Sequence, residues 1–199
     1  MRWLMQARSS MRFDEILVGW LFHHDMHAGR SNQFHKVRRL DRAVQIRRVM
    51  SDAEPIQAAP ERQQGYREAI EQHGLKFDPK LVSRGAATAA GGWEATCDLL
   101  DVRKRPTAIF CFNDQMAMGA YRAISDRGLR VPRDISVVGF DDQILVAPWL
   151  VPSLTTMALP HYAMGRWAVD FLVRKGEGVP QHRMPCPLVE RESVAAPQR

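Results

Sequence analysis

The chain has 199 residues, 45% of them hydrophobic, which is enough apolar material for a packed globular core. Its formal net charge of +6 is concentrated near the start: residues 1–54 carry 10 Lys+Arg against 6 Asp+Glu, whereas residues 55–199 carry 18 against 16. The near balance of the longer part argues against an extended nucleic-acid-binding surface. No apolar run approaches the roughly 20 residues of a transmembrane helix, so we expect no membrane role.

The cysteines and the start of the chain indicate the compartment. Cys97, Cys111 and Cys186 are odd in number and far apart, which favours neither a disulfide framework nor a zinc ribbon. The apolar run from Ile16 to Phe22 is too short for the core of a good signal peptide and follows two acidic residues. We therefore expect a protein of the reducing cytoplasm.

A histidine cluster near the start is a candidate metal motif. His23 and His27 lie one helical turn apart, a spacing found in metal sites, but no distant fourth ligand accompanies them. We interpret the cluster as a histidine-rich surface. The small-residue stretch Gly85 to Gly92 lacks the glycine spacing and the following Lys-Ser/Thr of phosphate-binding loops. We predict neither a metal nor a cofactor.

Regular secondary-structure signals begin near residue 57. Pro60 suits the first turn of a helix, and Gly74 suits its end. The apolar face of this helix is Tyr66, Ala69, Ile70 and His73. The apolar pair Leu81-Val82 predicts a short strand, and Thr88 is the expected N-cap of a second helix. The predicted apolar face of that helix is Trp93, Thr96, Cys97 and Leu100.

Two buried strands come next, with a helix between them. Thr107 to Phe112 and Ile135 to Phe140 have the length and the largely apolar composition of buried strands. Asn113 or Asp114 is expected to cap the intervening helix, which ends at Gly128. The predicted apolar face of this helix is Ala117, Ala120, Tyr121 and Ile124.

The last elements are a helix opened by Pro160 and closed by Gly176, then a strand from Cys186 to Val189. The apolar stripe of the helix is Met164, Trp167, Ala168, Phe171 and Leu172. Helices and strands therefore alternate, and the strands are apolar on both faces. This pattern predicts an α/β fold with a mainly parallel sheet that is covered by helices on both sides.

Polar clusters follow both central strands at the point where each strand ends. Asn113 and Asp114 follow the first, and Asp141 and Asp142 follow the second. Ligands of parallel sheets bind outside the carboxyl ends of the strands. An amide and carboxylates together suit the hydroxyl groups of a ligand. The alternative is that these residues are only helix caps.

A family resemblance is carried by RPTAIFCFNDQMAMGAYRAISDRGLRVPRDISVVGFDD, by the later PSLTT and LVERESVAAP, and by the upstream APERQQGYREAIEQHG. Together these motifs closely resemble the C-terminal half of LacI/GalR-type bacterial transcription regulators over residues 57–197. The resemblance implies a type I periplasmic-binding-protein-like fold, with two α/β lobes and a small ligand, usually a sugar or a nucleobase, in the cleft between them. We expect a sugar effector and a homodimer.

The resemblance also implies roles for particular residues. Arg62 matches an arginine that reaches into the cleft to bind the effector, and Asn113 and Asp141 match two further effector contacts. Asp114 and Asp142 are expected to cap helices. Other pocket positions are Ala87, Phe112 and Leu159. The family often has an aromatic residue in place of Ala87 and a glutamine in place of Leu159, so an aromatic platform and an amide contact are expected to be missing.

The front of the chain departs from the family, whose members begin with a helix-turn-helix headpiece, a hinge helix and an N-terminal lobe. Residues 1–54 match none of these, and Ala43 to Met50 is the nearest candidate for the first strand of the C-terminal lobe. We expect residues 1–54 to be a basic segment that is disordered or read out of frame, and residues 55–199 to be the effector-binding domain. Reading the other two frames tests this hypothesis.

Two consequences are expected of such a truncated chain. Residues 160–185, which pack on the N-terminal lobe in the family, are expected to lack their usual cover. Operator DNA is expected to be bound only through a headpiece that this chain lacks, so direct binding by the chain is predicted to be absent or weak and salt-sensitive.

Three functions remain open on the sequence. The leading one is the effector-sensing and dimerising part of a LacI-type regulator, which is not an enzyme. The second is a carbohydrate-active enzyme that uses Asp114, Asp141 or Asp142 as acid and base, although no nucleophile or metal site accompanies them. The third is a free-standing solute-binding protein, which would require an export signal.

Overall fold

The structure is a computed structural model that describes residues 43–48, 58–103, 105–174, 182 and 184–196. The histidine cluster, the apolar run from Ile16 to Phe22 and the predicted helix end at Gly176 lie outside the described residues. Within the described residues, no helix is long and apolar enough to cross a membrane.

One six-stranded sheet, flanked by helices, organises the fold. The strands are β1 (Ala43–Arg48), β2 (Val82–Gly85), β3 (Ala108–Cys111), β4 (Ser136–Asp141), β5 (Thr155–Ala158) and β6 (Leu188–Val189). The helices are α1 (Ala58–Gln72), α2 (Ala89–Leu100), α3 (Asp114–Asp126) and α4 (His161–Val173). The strand order is β2-β1-β3-β4-β5-β6, with every pair parallel except β5 and β6. The predicted α/β fold with a mainly parallel sheet is confirmed. β1 lies within the segment from Ala43 to Met50, which is the candidate for the first strand of the C-terminal lobe.

Two apolar clusters, one on each face of the sheet, form the core. Alternate residues of β3 point to opposite faces, because side chains in a strand alternate. Ile109 and Cys111 pack in the cluster formed with α2 and α3, whereas Ala108 and Phe110 pack in the cluster formed with α1. Covering both faces explains why β3 and β4 are apolar without a polar alternation.

The contact between α2 and α3 is made by small residues. A Cβ on Gly119 would overlap the backbone of Ala89 and Trp93, and one on Gly92 would overlap the backbone of Met116. The predicted apolar face of α2 is therefore partly wrong, since Trp93 is exposed and donates a hydrogen bond of 2.9 Å to the Asp126 carboxylate. The buried face of α2 is Gly91, Gly92, Ala95, Thr96, Leu99 and Leu100.

The helix ends follow the local sequence. Thr88 caps α2 by accepting a hydrogen bond of 3.2 Å from the Gly91 amide, as predicted. Gly74 and Gly128 follow α1 and α3 with φ of +69° and +68°, a conformation that glycine adopts without strain. α1 begins two residues before Pro60, at Ala58.

The segment that contains β6 closes the sheet on the side of β5. The Ser193 hydroxyl donates to the Val137 carbonyl at 2.6 Å and accepts from the Thr155 amide at 2.8 Å, so it joins β4 to β5. Arg191 donates to the Leu154 carbonyl at 2.9 Å and to the Asp142 carboxylate at 2.8 Å. Residues far apart in the sequence therefore hold the turn after β4.

α4 follows β5, and most of its residues are exposed. None of its residues, all of which the structure describes, is buried. Trp167 stacks on Phe171 and on His182, with ring centroids 5.6 Å and 6.0 Å apart. Leu172 and Val173 are exposed to solvent.

Glycine at the α2–α3 contact is expected to be required for stability. Gly119→Ala should lower the free energy of unfolding by at least about 2 kcal/mol, because the added methyl group overlaps helix backbone that cannot move alone. Gly165→Ala is the matched control, because a Cβ there meets nothing within 4 Å; it should raise the free energy by up to about 1 kcal/mol. Urea unfolding followed by circular dichroism measures both. Equal effects at the two positions would contradict the described packing.

Candidate functional site

Side chains from α1 and from the ends of β3 and β4 meet at the carboxyl edge of the sheet. Arg62 lies on α1, Phe112 and Asn113 follow β3, and Asp141 is the last residue of β4. The parallel strands bring these residues to one edge although they are far apart in the sequence. Their convergence makes this edge the candidate site.

Arg62 is held in place by aromatic rings and a backbone carbonyl. Its Nη1 donates to the Phe112 carbonyl at 2.5 Å, and its guanidinium carbon lies 3.6 Å from the centroid of the Phe140 ring and 4.4 Å from that of Phe112. Burial lowers the pKa of Arg62 to about 10, and nearby Asp141 opposes this shift. Arg62 is therefore a fixed, charged donor at neutral pH.

Arg62 and Asp141 face each other without a direct hydrogen bond. The Arg62 Nη2 and the Asp141 Oδ1 are 3.9 Å apart, and the two side chains are 14% and 20% exposed. This distance is too long for a hydrogen bond. An oxygen that donates and accepts, such as a ligand hydroxyl, can hydrogen bond to both groups at once. The separation of the two groups leaves room for one bridging hydroxyl group.

The backbone at Asp141 is unusual. Asp141 and Asp142 have φ of 110° and 53°, values that non-glycine residues rarely adopt. The Gln143 side-chain amide donates to the Asp141 carboxylate at 3.3 Å, and the Leu159 amide donates to the Asp141 carbonyl at 3.4 Å. Burial raises the pKa of Asp141, opposed first by Arg62, then by the Gln143 amide and His161.

Asn113 is the N-cap of α3. Its Oδ1 accepts from the Met116 amide at 2.8 Å, and its Nδ2 donates to the Ala87 carbonyl at 3.3 Å. Of the two candidates that the sequence left open, the cap is therefore Asn113 and not Asp114. Its amide still has one N–H and one oxygen lone pair for a ligand.

The expectation that Asp114 and Asp142 cap helices is wrong. Asp114 is buried inside the fold, where its Oδ1 accepts from the Thr156 hydroxyl and its Oδ2 from the Gln143 backbone amide, both at 2.6 Å. Asp142 instead forms an ion pair with Arg191. Both carboxylates stabilise the turn after β4 and not a helix end.

The pKa of the Asp114 carboxyl is raised, mainly by its burial. Burial raises this pKa to about 6, and the negative charges of Asp141 and Asp142 add to the shift. The hydrogen bonds from Thr156 and Gln143 oppose it. Asp114 thus titrates closer to neutral pH than an exposed aspartate does.

The remaining pocket positions take different places in the core. Phe112 is buried, and Ala87 packs against the same cluster of α2 and α3. Leu159 packs against the other cluster, on the α1 side. Ala87 and Leu159 are therefore a small and an aliphatic residue, and neither offers a ligand an aromatic face or an amide.

Four residues near the site were missed by the sequence reasoning. Phe140 and Gln143 flank the two aspartates, so their place in the motif GFDDQ was an available signal. His161 begins α4 just after β5, at the same edge of the sheet. Cys186 lies near enough to Arg62 for that charge to counter the burial that raises the pKa of the thiol. Among the described residues, no group of three or more His, Cys, Asp or Glu could hold a metal ion.

Comparison with known proteins decides the family. A family model described as "Periplasmic binding protein-like domain" matches residues 42–194. The chain belongs to this family. It is similar to the HTH-type transcriptional repressor CytR of Escherichia coli, with 40% identity over 141 residues that make up 68% of this chain and 40% of the repressor. The chain thus spans less than half the length of this relative.

Solved structures agree with this assignment. A sugar-binding transcriptional regulator of the LacI family from Escherichia coli, complexed with phosphate, has a TM-score of 0.69 at 32% identity over 78% of this chain and 55% of the other. A dimeric Lac repressor with an 11-residue C-terminal deletion has a TM-score of 0.68 at 32% identity, over 78% of this chain and 56% of the other. The resemblance to the effector-binding half of LacI-type regulators is confirmed.

The raised pKa of Asp114 predicts a pH-dependent stability. A carboxyl whose pKa is higher in the folded state stabilises the fold fully below its unfolded pKa of about 4, and this stabilisation is lost as the pH rises through about 6. The free energy of unfolding should therefore fall by an amount on the order of 2 kcal/mol between pH 4 and pH 7. Asp114→Asn should reduce this slope.

Denaturant unfolding at a series of pH values measures the slope. Asp98→Asn, which changes an exposed carboxylate on α2, is the control and should leave the slope as it is in the unmodified chain. A slope that is identical in all three proteins would show that Asp114 does not titrate in this range.

Proposed function

We propose that this chain is the effector-sensing part of a LacI-type transcription regulator, and that its effector is a sugar or a similar polyhydroxylated molecule. The observation that carries the proposal is the separation of 3.9 Å between Arg62 and Asp141, which suits a bridging hydroxyl group. Asn113, with one amide N–H and one lone pair left, is proposed as a third contact. Phe112, Ala87 and Leu159 are proposed to line the pocket beside them.

Binding is favoured over catalysis by the state of the carboxylates. Acid–base chemistry on a glycosidic bond uses two carboxyl groups that both reach the substrate. Both oxygens of Asp114 accept internal hydrogen bonds, and Asp142 is paired with Arg191, so Asp141 alone has the setting of a ligand contact. The similar proteins are transcriptional regulators, which also favours binding. Release of free sugar during incubation with disaccharides would support the enzyme instead.

Signalling is proposed to follow from ligand-dependent closure. A ligand that contacts groups on different lobes stabilises the state in which they are close, and its differential affinity sets the size of the shift. Operator recognition is proposed to belong to a part of the regulator outside the matched residues 42–194. We propose that the protein works in the cytoplasm, where thiols such as the buried Cys111 remain reduced.

An exposed apolar surface supports a homodimer. It follows β4 and comprises Ile144, Leu145, Trp149 and Val151, which are 79%, 83%, 75% and 90% exposed. Exposed apolar residues of this density usually mark a protein–protein contact. The similarity to a dimeric Lac repressor favours a second copy of the chain as the partner. We propose that this surface is the dimer interface.

Ligand binding is tested by thermal unfolding with a panel of pentoses, hexoses, disaccharides and purine nucleosides. A ligand at 100 times its Kd should raise the Tm by about 5–10 °C, because it binds the folded state alone. Arg62→Lys keeps the charge but loses the planar set of donors, so the affinity should fall at least about tenfold.

The matched control is Arg67→Lys, on the same helix, where the arginine forms an exposed ion pair with Glu71. This variant should bind like the unmodified chain. If no sugar raises the Tm while a nucleoside does, the proposed ligand class is wrong. If both variants bind equally well, Arg62 is not a ligand contact.

Dimer formation is tested by substitution on the exposed apolar surface. Leu145→Asp should raise the dimer dissociation constant at least about tenfold, because a charge would be buried at the interface. Sedimentation equilibrium measures the constant. Tyr162→Asp, on the equally exposed α4, is the control and should not change it. A monomer at all concentrations, or dissociation caused only by Tyr162→Asp, would contradict the proposed interface.

A further inference from the structure

The Asp114 carboxylate connects three segments that build the candidate site. It projects from the first turn of α3, directly after Asn113, and accepts hydrogen bonds from Thr156 on β5 and from the Gln143 amide in the turn after β4. Both bonds are 2.6 Å long, and Asp114 has no exposed surface. Charge-assisted bonds of this length in a buried setting are strong and directional.

The turn that Asp114 holds is one that does not form easily. Asp141 and Asp142 both have positive φ, at 110° and 53°, and such conformations persist only where the surroundings fix them. The bond from Gln143 ends this turn, one residue after the strained pair. The position of the carboxylate also depends on Gly139, because a Cβ there would overlap the Asp114 Oδ1.

We propose that Asp114 is a positioning residue, which fixes the turn from Asp141 to Gln143 and so directs the Asp141 carboxylate towards Arg62. This inference rests on the proposed role of Asp141 as a ligand contact. The inference can nevertheless be tested without a ligand, because it concerns the conformation of the turn in the free protein. The carboxylate does not touch the ligand; it acts through the Gln143 amide and the strained backbone before it.

The turn can be observed by amide hydrogen exchange of residues 141–143, measured by NMR in the full chain. Asp114→Ala removes both acceptors and should speed exchange of these amides at least tenfold, while the amides of β3 stay protected. Thr156→Val is the matched control. It removes the buried bond to Oδ1 but keeps the bond from the Gln143 amide to Oδ2, so exchange in the turn should stay within twofold of the unmodified chain.

A second measurement remains informative if Asp114→Ala does not fold. Protonation removes the charge that strengthens the bond from the Gln143 amide, so exchange protection in the turn of the unmodified chain should fall below about pH 6. Asp114→Asn is neutral at every pH, so its bond from the Gln143 amide should be as weak as that of the protonated acid. Its protection in the turn should therefore be independent of pH.

One further variant distinguishes the titration of Asp114 from that of the titratable groups near it. The charged groups that face it are Asp141 and Asp142, the latter paired with Arg191, and the buried Cys111 thiol is near enough to respond to its charge. Asp141→Asn should keep the loss of protection below pH 6. The proposal is wrong if Asp141→Asn shows no loss of exchange protection below pH 6 while Asp114→Asn loses protection as the unmodified chain does.

Measuring ligand binding as well distinguishes the proposed sugar-binding function from the proposed positioning role of Asp114. With the sugar that raises the Tm most in the panel as the probe, Asp114→Ala should weaken binding at least about tenfold at pH 7, because Asp141 is no longer held towards Arg62, whereas Thr156→Val should bind within about threefold of the unmodified chain. If no sugar binds the unmodified chain but the exchange results appear as expected, the sugar-binding function fails and the positioning role stands. Equal exchange in Asp114→Ala and Thr156→Val overturns the positioning role whatever binds.

Discussion

A carboxylate with no exposed surface joins the elements on which the candidate site depends. Asp114 brings together the start of α3, the end of β4 and the middle of β5 through two short hydrogen bonds. Such a group is expensive to bury, and burial is the main cause of its raised pKa. The same carboxylate accepts the bond from Gln143, which follows a pair of residues with positive φ.

The sheet explains why the polar groups meet at this place. Helices cover both faces of the sheet, so polar side chains can reach a ligand only at its edges. Parallel strands all end at the same edge, and their polar groups therefore meet there. α1 adds Arg62 from the side of Phe140, so the guanidinium lies over aromatic rings and next to a carboxylate. The site thus combines a cation, an anion and apolar surface, a combination that suits the hydroxyl groups and the ring faces of a sugar.

Much of the fold was predictable from local sequence. The buried strands β3 and β4 come from largely apolar runs, Gly74 and Gly128 mark helix ends through their left-handed backbone, and Thr88 marks a helix start through its capping hydroxyl. The buried face of α2 was not predictable in the same way. Large residues such as Trp93 dominate a periodicity argument, whereas the contact with α3 is made by glycine and alanine, whose value lies in their lack of bulk.

The family motif predicted which residues lie together better than it predicted what each of them does. Arg62, Asn113 and Asp141 do lie at the same edge of the sheet, but the motif does not tell a capping carboxylate from one that fixes a turn. Asp114 follows a strand and precedes a helix, and local rules then favour a cap. Its true partners, Thr156 and Gln143, are 42 and 29 residues away, so tertiary structure alone defines its role.

The bonds made by Ser193 and Arg191 have a consequence for biosynthesis. Ser193 reaches Val137 across 56 residues of sequence, and Arg191 reaches Asp142 across 49. A ribosome delivers β3, α3, β4 and β5 before this segment, so the turn that carries Asp141 emerges without its ion pair and without the hydroxyl that joins β4 to β5. Contacts of such long range form slowly. The nascent site therefore remains incomplete until residues 188–193 leave the exit tunnel, and a chaperone would meet an exposed edge of β5 during that interval.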